Sequence, residues 1–217
     1  MRTSVDVNLK EYNLELLEEE YDRISIFIED AKKLNRICSH LNKLTKGAIL
    51  KAISSKEFEK KSCGDVLTLS FPGALQAKYL DLVKWTKSGQ LSDARKAGVN
   101  LAKKSNNSKI LVCANKQKFS EELIKGYLLR RYEFSNYKTA EDKGLGSVTL
   151  MLKRPKDFEK PLSETKAIVD GVFFTRNLVN EPANILNTVE FSNRLQELSA
   201  IGIDVEILEE KKLAELG

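Results

Sequence analysis

The run Ile110-Leu111-Val112-Cys113-Ala114, apolar throughout and preceded by the turn formers Ser105-Asn106-Asn107-Ser108, constrains the fold more than any other stretch. A strand with no polar alternate has no face to offer to water, so it belongs in the middle of a sheet covered on both sides. The neighbouring patterns supply the cover. Ser92 and Asp93 read as the cap of a helix carrying Ala94, Ala97 and Leu101, and Phe119 to Arg131 repeats Leu123, Ile124, Tyr127 and Leu128 at helical spacing. From Leu34 to Phe58 the period is again helical, and the break near Thr45 to Gly47 divides it into two helices.

Further strands are read from alternation. The spacing predicts a short strand over Thr3 to Leu9 and a second where Ile24, Ile26 and Ile28 alternate with Ser25 and Phe27. Leu67, Leu69 and Phe71 form a third, which Pro72-Gly73 closes as a turn; Tyr79 to Trp85 and Ser147 to Leu152 follow. The Glu18-Glu19-Glu20 run reads as a solvated loop or helix edge. Strands alternating with helices predict an α/β sheet sandwiched by helices, mixed because two strands precede any crossover helix.

A long helical pattern comes next. Ile168, Val169, Val172, Phe173, Leu178 and Val179 share its apolar side, Ser163 followed by Glu164 reads as the N-cap, and Pro182 ends the helix after Asn180. This helix is expected to link two folding units. Beyond it the sequence predicts a helix over Thr188 to Ala200, a strand over Ile203 to Leu208 and a helix over Glu210 to Leu216. The strand would present an unpaired sheet edge.

Three stretches carry a specific resemblance: Gly171-Val172-Phe173-Phe174-Thr175-Arg176-Asn177-Leu178-Val179-Asn180-Glu181-Pro182-Ala183-Asn184, Thr188-Val189-Glu190-Phe191, and Gly202-Ile203-Asp204-Val205-Glu206-Ile207-Leu208. Together they resemble the segment that opens the catalytic domain in the leucine aminopeptidase (cytosol aminopeptidase) family. Glu210 to Gly217 is similar to that family's next helix, and Tyr132 to Thr139 to an aromatic-rich stretch late in its N-terminal domain. The resemblance implies a macro-domain-like domain for residues 1–155, a linker helix within 156–182, and the first elements of an incomplete second α/β domain over 183–217. It implies a parent enzyme that is hexameric and removes N-terminal residues from peptides with two divalent ions, Mn²⁺ or Zn²⁺. The family's metal-binding motifs, a glycine-rich segment bearing Lys and Asp and an Asn-Thr-Asp-Ala-Glu-Gly-Arg signature, have no counterpart in this sequence. The expectation is therefore a front portion that is itself inactive and serves in assembly or regulation, with no catalytic, cofactor-binding or metal-binding residue of its own.

Composition fits a globular chain: 41% of its 217 residues are hydrophobic and 31% charged. No apolar run approaches the roughly 18 residues needed to span a bilayer, and Met1 to Asp6 lacks a signal-peptide core, so a cytoplasmic protein without a membrane partner is expected. Cys38, Cys63 and Cys113 have no ligand spacing and read as free thiols.

Candidate chemistry is sparse. His40 is the only histidine and has no nucleophile motif beside it, so it reads as a surface or helix-end residue. Gly144-Leu145-Gly146-Ser147 leads into a strand, whereas a phosphate cradle opens a helix. Asn180, Glu181 and Asn184 read as groups that terminate a helix, since a lone carboxylate does not make a two-metal site. Charge is uneven: residues 32–118 hold 19 Lys or Arg against 5 Asp or Glu, within a formal net charge of +5. Such a block is either a solvated surface, alone or paired with the acidic segments of this chain or of a neighbouring subunit, or a nucleic-acid interface, with DNA as the partner in the second case, a role resembled by some bacterial members of the family. The second reading requires Lys43, Lys46, Lys51, Lys96, Lys103 and Lys104 to converge on one face.

Overall fold

The computed structural model describes residues 5–30, 33–114, 119–134, 137 and 145–217. They fall into two compact units, Met1–Gly171 and Val172–Gly217.

In the first unit six strands form one sheet: β1 (Asp6–Glu11), β2 (Arg23–Ile28), β3 (Val66–Ser70), β4 (Tyr79–Lys84), β5 (Lys109–Cys113) and β6 (Ser147–Leu152). Their order across the sheet is β1-β6-β5-β2-β4-β3. Every neighbouring pair is parallel except β3 and β4, which run antiparallel through the hairpin between Ser70 and Tyr79. The apolar run is β5, between β2 and β6, with Leu111 and Val112 fully buried. The first strand begins within residues 1–4 in the sequence reading, a start that lies outside the described residues; its described part extends to Glu11. Most of the aromatic-rich stretch from Tyr132 to Thr139 likewise lies outside them, beyond Phe134 and apart from Tyr137.

Alternation divides the core into two layers. Ile24, Ile26 and Ile28 of β2, Leu80 and Leu82 of β4, and Leu111 and Cys113 of β5 pack with Ile37, Cys38 and Leu41 of α1 (Arg36–Leu44) and with Ile49 and Ile53 of α2 (Ala48–Ile53). Phe58 of the short helix α3 (Lys56–Glu59) closes that layer, with Ser55 accepting from the Phe58 amide as its cap. The other face carries Ser25, Phe27, Asp81, Val83, Ile110 and Val112, and is covered by α4 (Leu91–Ser105) and α5 (Ser120–Arg130). These two helices approach backbone to backbone because Gly98 and Gly126 lack side chains: a Cβ at Gly98 would collide with the Leu123 carbonyl, and one at Gly126 with that of Arg95. Gln90 and Asp93 form the capping box of α4, so the helix starts earlier than the predicted Ser92 cap.

The long helix α6 (Glu159–Asn180) also begins earlier than its pattern predicted. Pro161 lies in its first turn, where a missing N–H costs no hydrogen bond, and a 3-10 turn over Lys156–Phe158 leads in. Ser163 is therefore inside the helix and not its cap.

In the second unit α7 (Thr188–Gln196) is capped by the Asn187 side chain, which accepts from the Glu190 amide at 2.9 Å; it tightens into a 3-10 turn over Glu197–Ile201. α8 (Glu210–Leu216) forms as predicted. The strand predicted over Ile203 to Leu208 does not: these residues pair with no strand among the described residues. Alternating Ile203, Val205 and Ile207 favour an extended chain, but a strand exists only through its ladder, so the predicted open sheet edge is absent there too.

Candidate functional site

At the amino-terminal ends of β2 and β4 the first unit opens a cleft of about 540 Å³, lined by Asp22, Arg23, Thr68, Lys78, Tyr79, Lys103, Lys104, Asn106 and Ser108. Most of the lining comes from element ends. Arg23 and Tyr79 are the first residues of neighbouring parallel strands, and Thr68 reaches in from the antiparallel edge strand. Lys103 and Lys104 occupy the last turn of α4, and Asn106 and Ser108 belong to the turn entering β5.

The floor of this cleft is a fixed network. Arg23 donates from Nε to Asp81 Oδ2 at 2.9 Å and from Nη2 to Asp81 Oδ1 at 3.0 Å, and the Thr68 hydroxyl donates to Oδ1 at 2.7 Å. The guanidinium also stacks over the Tyr79 ring, 4.2 Å from its centroid. Asp22 accepts from the Lys109 amide at 2.9 Å and from Lys78 Nζ at 3.4 Å; that backbone hydrogen bond, ahead of the lysine, holds its carboxyl below the usual range. Arg23 and Lys78 thus have carboxylate partners, whereas Lys103 and Lys104 are exposed and form no ion pair with the described residues. The cleft is a cationic recess with an aromatic wall.

The lysines of the basic block do not share a face. Lys43, Lys46 and Lys51 belong to the α1–α2 layer on one side of the sheet, and Lys96, Lys103 and Lys104 to α4 on the other. Lys96 is engaged by an ion pair, 2.9 Å from Asp65; burial pushes that carboxyl up, but Lys96 together with the Ser62 amide holds it below the usual range. Of the aromatics in the block, Phe58 and Trp85 are buried, while Tyr79 lines the cleft and the exposed Phe71 stands 6.1 Å from it. In the sequence these residues stand far apart, as separate lysines and aromatics. Their meeting depends on β3, β4 and α4 ending at one place, which no local pattern states.

The remaining candidates do not form a second site. His40 stands in the middle of α1, half-buried, not at a helix end, and its Nε2 has no hydrogen-bond partner among the described residues. Gly146, at φ +67°, passes so close to the backbone of Asn107 and Ser108 that no side chain fits; it leads into β6, and Gly144 lies outside the described residues. Cys38 and Cys113 are buried and Cys63 half-buried, none in a disulfide, and burial pushes the Cys113 thiol up. In the second unit Arg194 donates to Glu181 at 2.9 Å and to Glu190 at 2.8 Å, while the Asn180 side chain donates back to the Arg176 carbonyl. Glu181 and Asn180 therefore secure the end of α6 and its junction with α7; Asn184 is exposed in the turn between them. Among the described residues no group of three or more His, Cys, Asp or Glu side chains fits a metal ion.

The architecture is a macro-domain-like α/β sandwich, with a six-stranded, mostly parallel sheet between helical layers. No protein-family model matches the chain. A probable cytosol aminopeptidase of Dinoroseobacter shibae is 36% identical over 205 residues, 94% of this chain and 42% of the relative. Another, of Cereibacter sphaeroides, is 33% identical over all 217 residues, 44% of its own length. In three dimensions a tomato leucine aminopeptidase variant matches the whole chain and 47% of its own, with a TM-score of 0.78 at 20% identity, which shows a shared fold. The chain belongs to the cytosol (leucine) aminopeptidase family, and it spans less than half the length of these curated relatives.

Proposed function

We propose that this chain is the N-terminal, non-catalytic portion of a two-metal leucyl aminopeptidase, a cytoplasmic hydrolase that releases N-terminal amino acids from peptides. The observation that carries the reading is the match of nearly the whole chain to only 42–44% of the cytosol aminopeptidases. Within it, residues 1–155 are the macro-like domain, 156–182 the linker, and 183–217 the opening of the catalytic domain. The portion serves in assembly or regulation of a hexameric parent whose two ions, Mn²⁺ or Zn²⁺, bind residues outside it. The described side chains do not fit such a centre.

The reading is tested by equilibrium dialysis of the chain against Mn²⁺ and Zn²⁺, with metal content read by mass spectrometry. Less than one equivalent at micromolar free metal is expected. Two equivalents, lost with one set of substitutions, would place the metal centre in this chain. A nucleic-acid role for residues 32–118 ranks second, because the lysines it needs are divided between opposite faces of the sheet.

A further inference from the structure

We propose that the cleft at the amino-terminal ends of β2 and β4 binds a mononucleotide, with its phosphate on Lys103 and Lys104 and its base against Phe71 and Tyr79. Three independent observations converge on this. The first is charge. Four cations and one carboxylate line the recess; Asp81 neutralises Arg23 and Asp22 holds Lys78, which leaves the two lysines of the last α4 turn uncompensated among the described residues. A helix C-terminus carries about half a negative charge, so two full positive charges still leave this end attractive to an anion. Asn106 and Ser108 add side-chain hydrogen-bonding groups on the same rim.

The second observation is the aromatic wall. Phe71 is 75% exposed, at the start of the hairpin loop, with its ring centroid 6.1 Å from that of Tyr79. An exposed aromatic beside a stacked Arg–Tyr pair is a surface on which any nucleobase can lie. The third is strain. Phe71 has φ +48° and Asn106 φ +41°, both at positive φ, where the Cβ of an L-residue crowds its own backbone. Glycine would relieve it at either place. The hairpin instead fixes the Phe71 backbone through its amide, which donates to the Lys78 carbonyl at 2.7 Å, and keeps the ring next to Tyr79 of the cleft lining. A volume of about 540 Å³ suits one nucleotide and is too small for a folded partner.

The test is calorimetric titration of the chain at low salt with AMP, inorganic phosphate and adenosine. The proposal expects AMP to bind at least about tenfold more tightly than either phosphate or adenosine, since only AMP engages both walls. The double variant Lys103→Gln/Lys104→Gln removes two exposed charges and should weaken AMP by about tenfold or more, with Lys103→Arg/Lys104→Arg retaining it. Phe71→Gly suits the left-handed backbone while removing the ring; it should weaken AMP by about tenfold and leave phosphate unchanged. Phosphate binding as tightly as AMP would reduce the cleft to an anion site and overturn the proposal. So would AMP binding that is undetectable at millimolar ligand, or that is unchanged in the folded Gln and Gly variants.

Discussion

Arg23 and Asp81 pair diagonally across β2 and β4, and both are almost wholly removed from solvent, at 5% and 1% exposed. Their bidentate pairing and the Thr68 hydroxyl satisfy the charge of each in a setting where an unpaired ion would cost several kcal/mol. Asp81→Ala strands the guanidinium in the sheet and is expected to destabilise the first unit by about 3–5 kcal/mol in urea denaturation; a change below about 1 kcal/mol would show that water reaches Arg23. Neither residue stood out in the sequence, because an Asp within an apolar strand acquires its meaning from a partner 58 positions away. The same distance hid the cleft: Lys103 and Lys104 were legible as basic helix residues, but not their position opposite Tyr79. What the sequence did carry at this scale was local, such as the roles of Asn180 and Glu181 at the end of a helix, where Pro182 dictates that the chain must turn.

At the scale of elements, the same substitution should have opposite signs in two helices. Gly98→Ala brings a gain in helix propensity of about 1 kcal/mol, but its methyl meets the Leu123 backbone, which neither helix can yield without parting. The net expectation is a loss of about 2 kcal/mol, read from the denaturation midpoint at unchanged slope. Gly171 in α6 has open space where a methyl group would stand, so Gly171→Ala should raise stability by roughly 0.5–1 kcal/mol. Equal effects at the two sites would refute the close packing of α4 on α5. The elements themselves were largely legible, because β5 is apolar throughout and the helices keep their period. Ile203 to Leu208 has the alternation of a strand, yet alternation records preference, and pairing needs a neighbour; α6 gains its first turn from the placement of Pro161, which a reading that starts at the N-cap Ser163 discounts.

For the whole molecule, acid should act mainly through carboxylates held in their charged form. Asp22 is lowered by the Lys109 amide, while Asp65 and Glu122 are lowered against the pull of burial, by Lys96 and by Lys125 with Arg95. A depressed carboxyl adds stability above its unfolded pKa of about 4, and that contribution disappears as pH falls through the folded value. Thermal midpoints should therefore hold near neutrality and drop below about pH 4; Asp22→Asn combined with Glu122→Gln should flatten the drop. A drop of unchanged size would assign acid sensitivity to other groups. The proposal that the chain is a cytosol aminopeptidase portion without its chemistry is checked by assaying the purified chain on leucine p-nitroanilide with Mn²⁺ or Zn²⁺, from a host lacking full-length aminopeptidases. Release no faster than in buffer with the same metal is expected. Metal-stimulated turnover that tracks the protein through purification and saturates with substrate would show instead that a working centre lies within these residues.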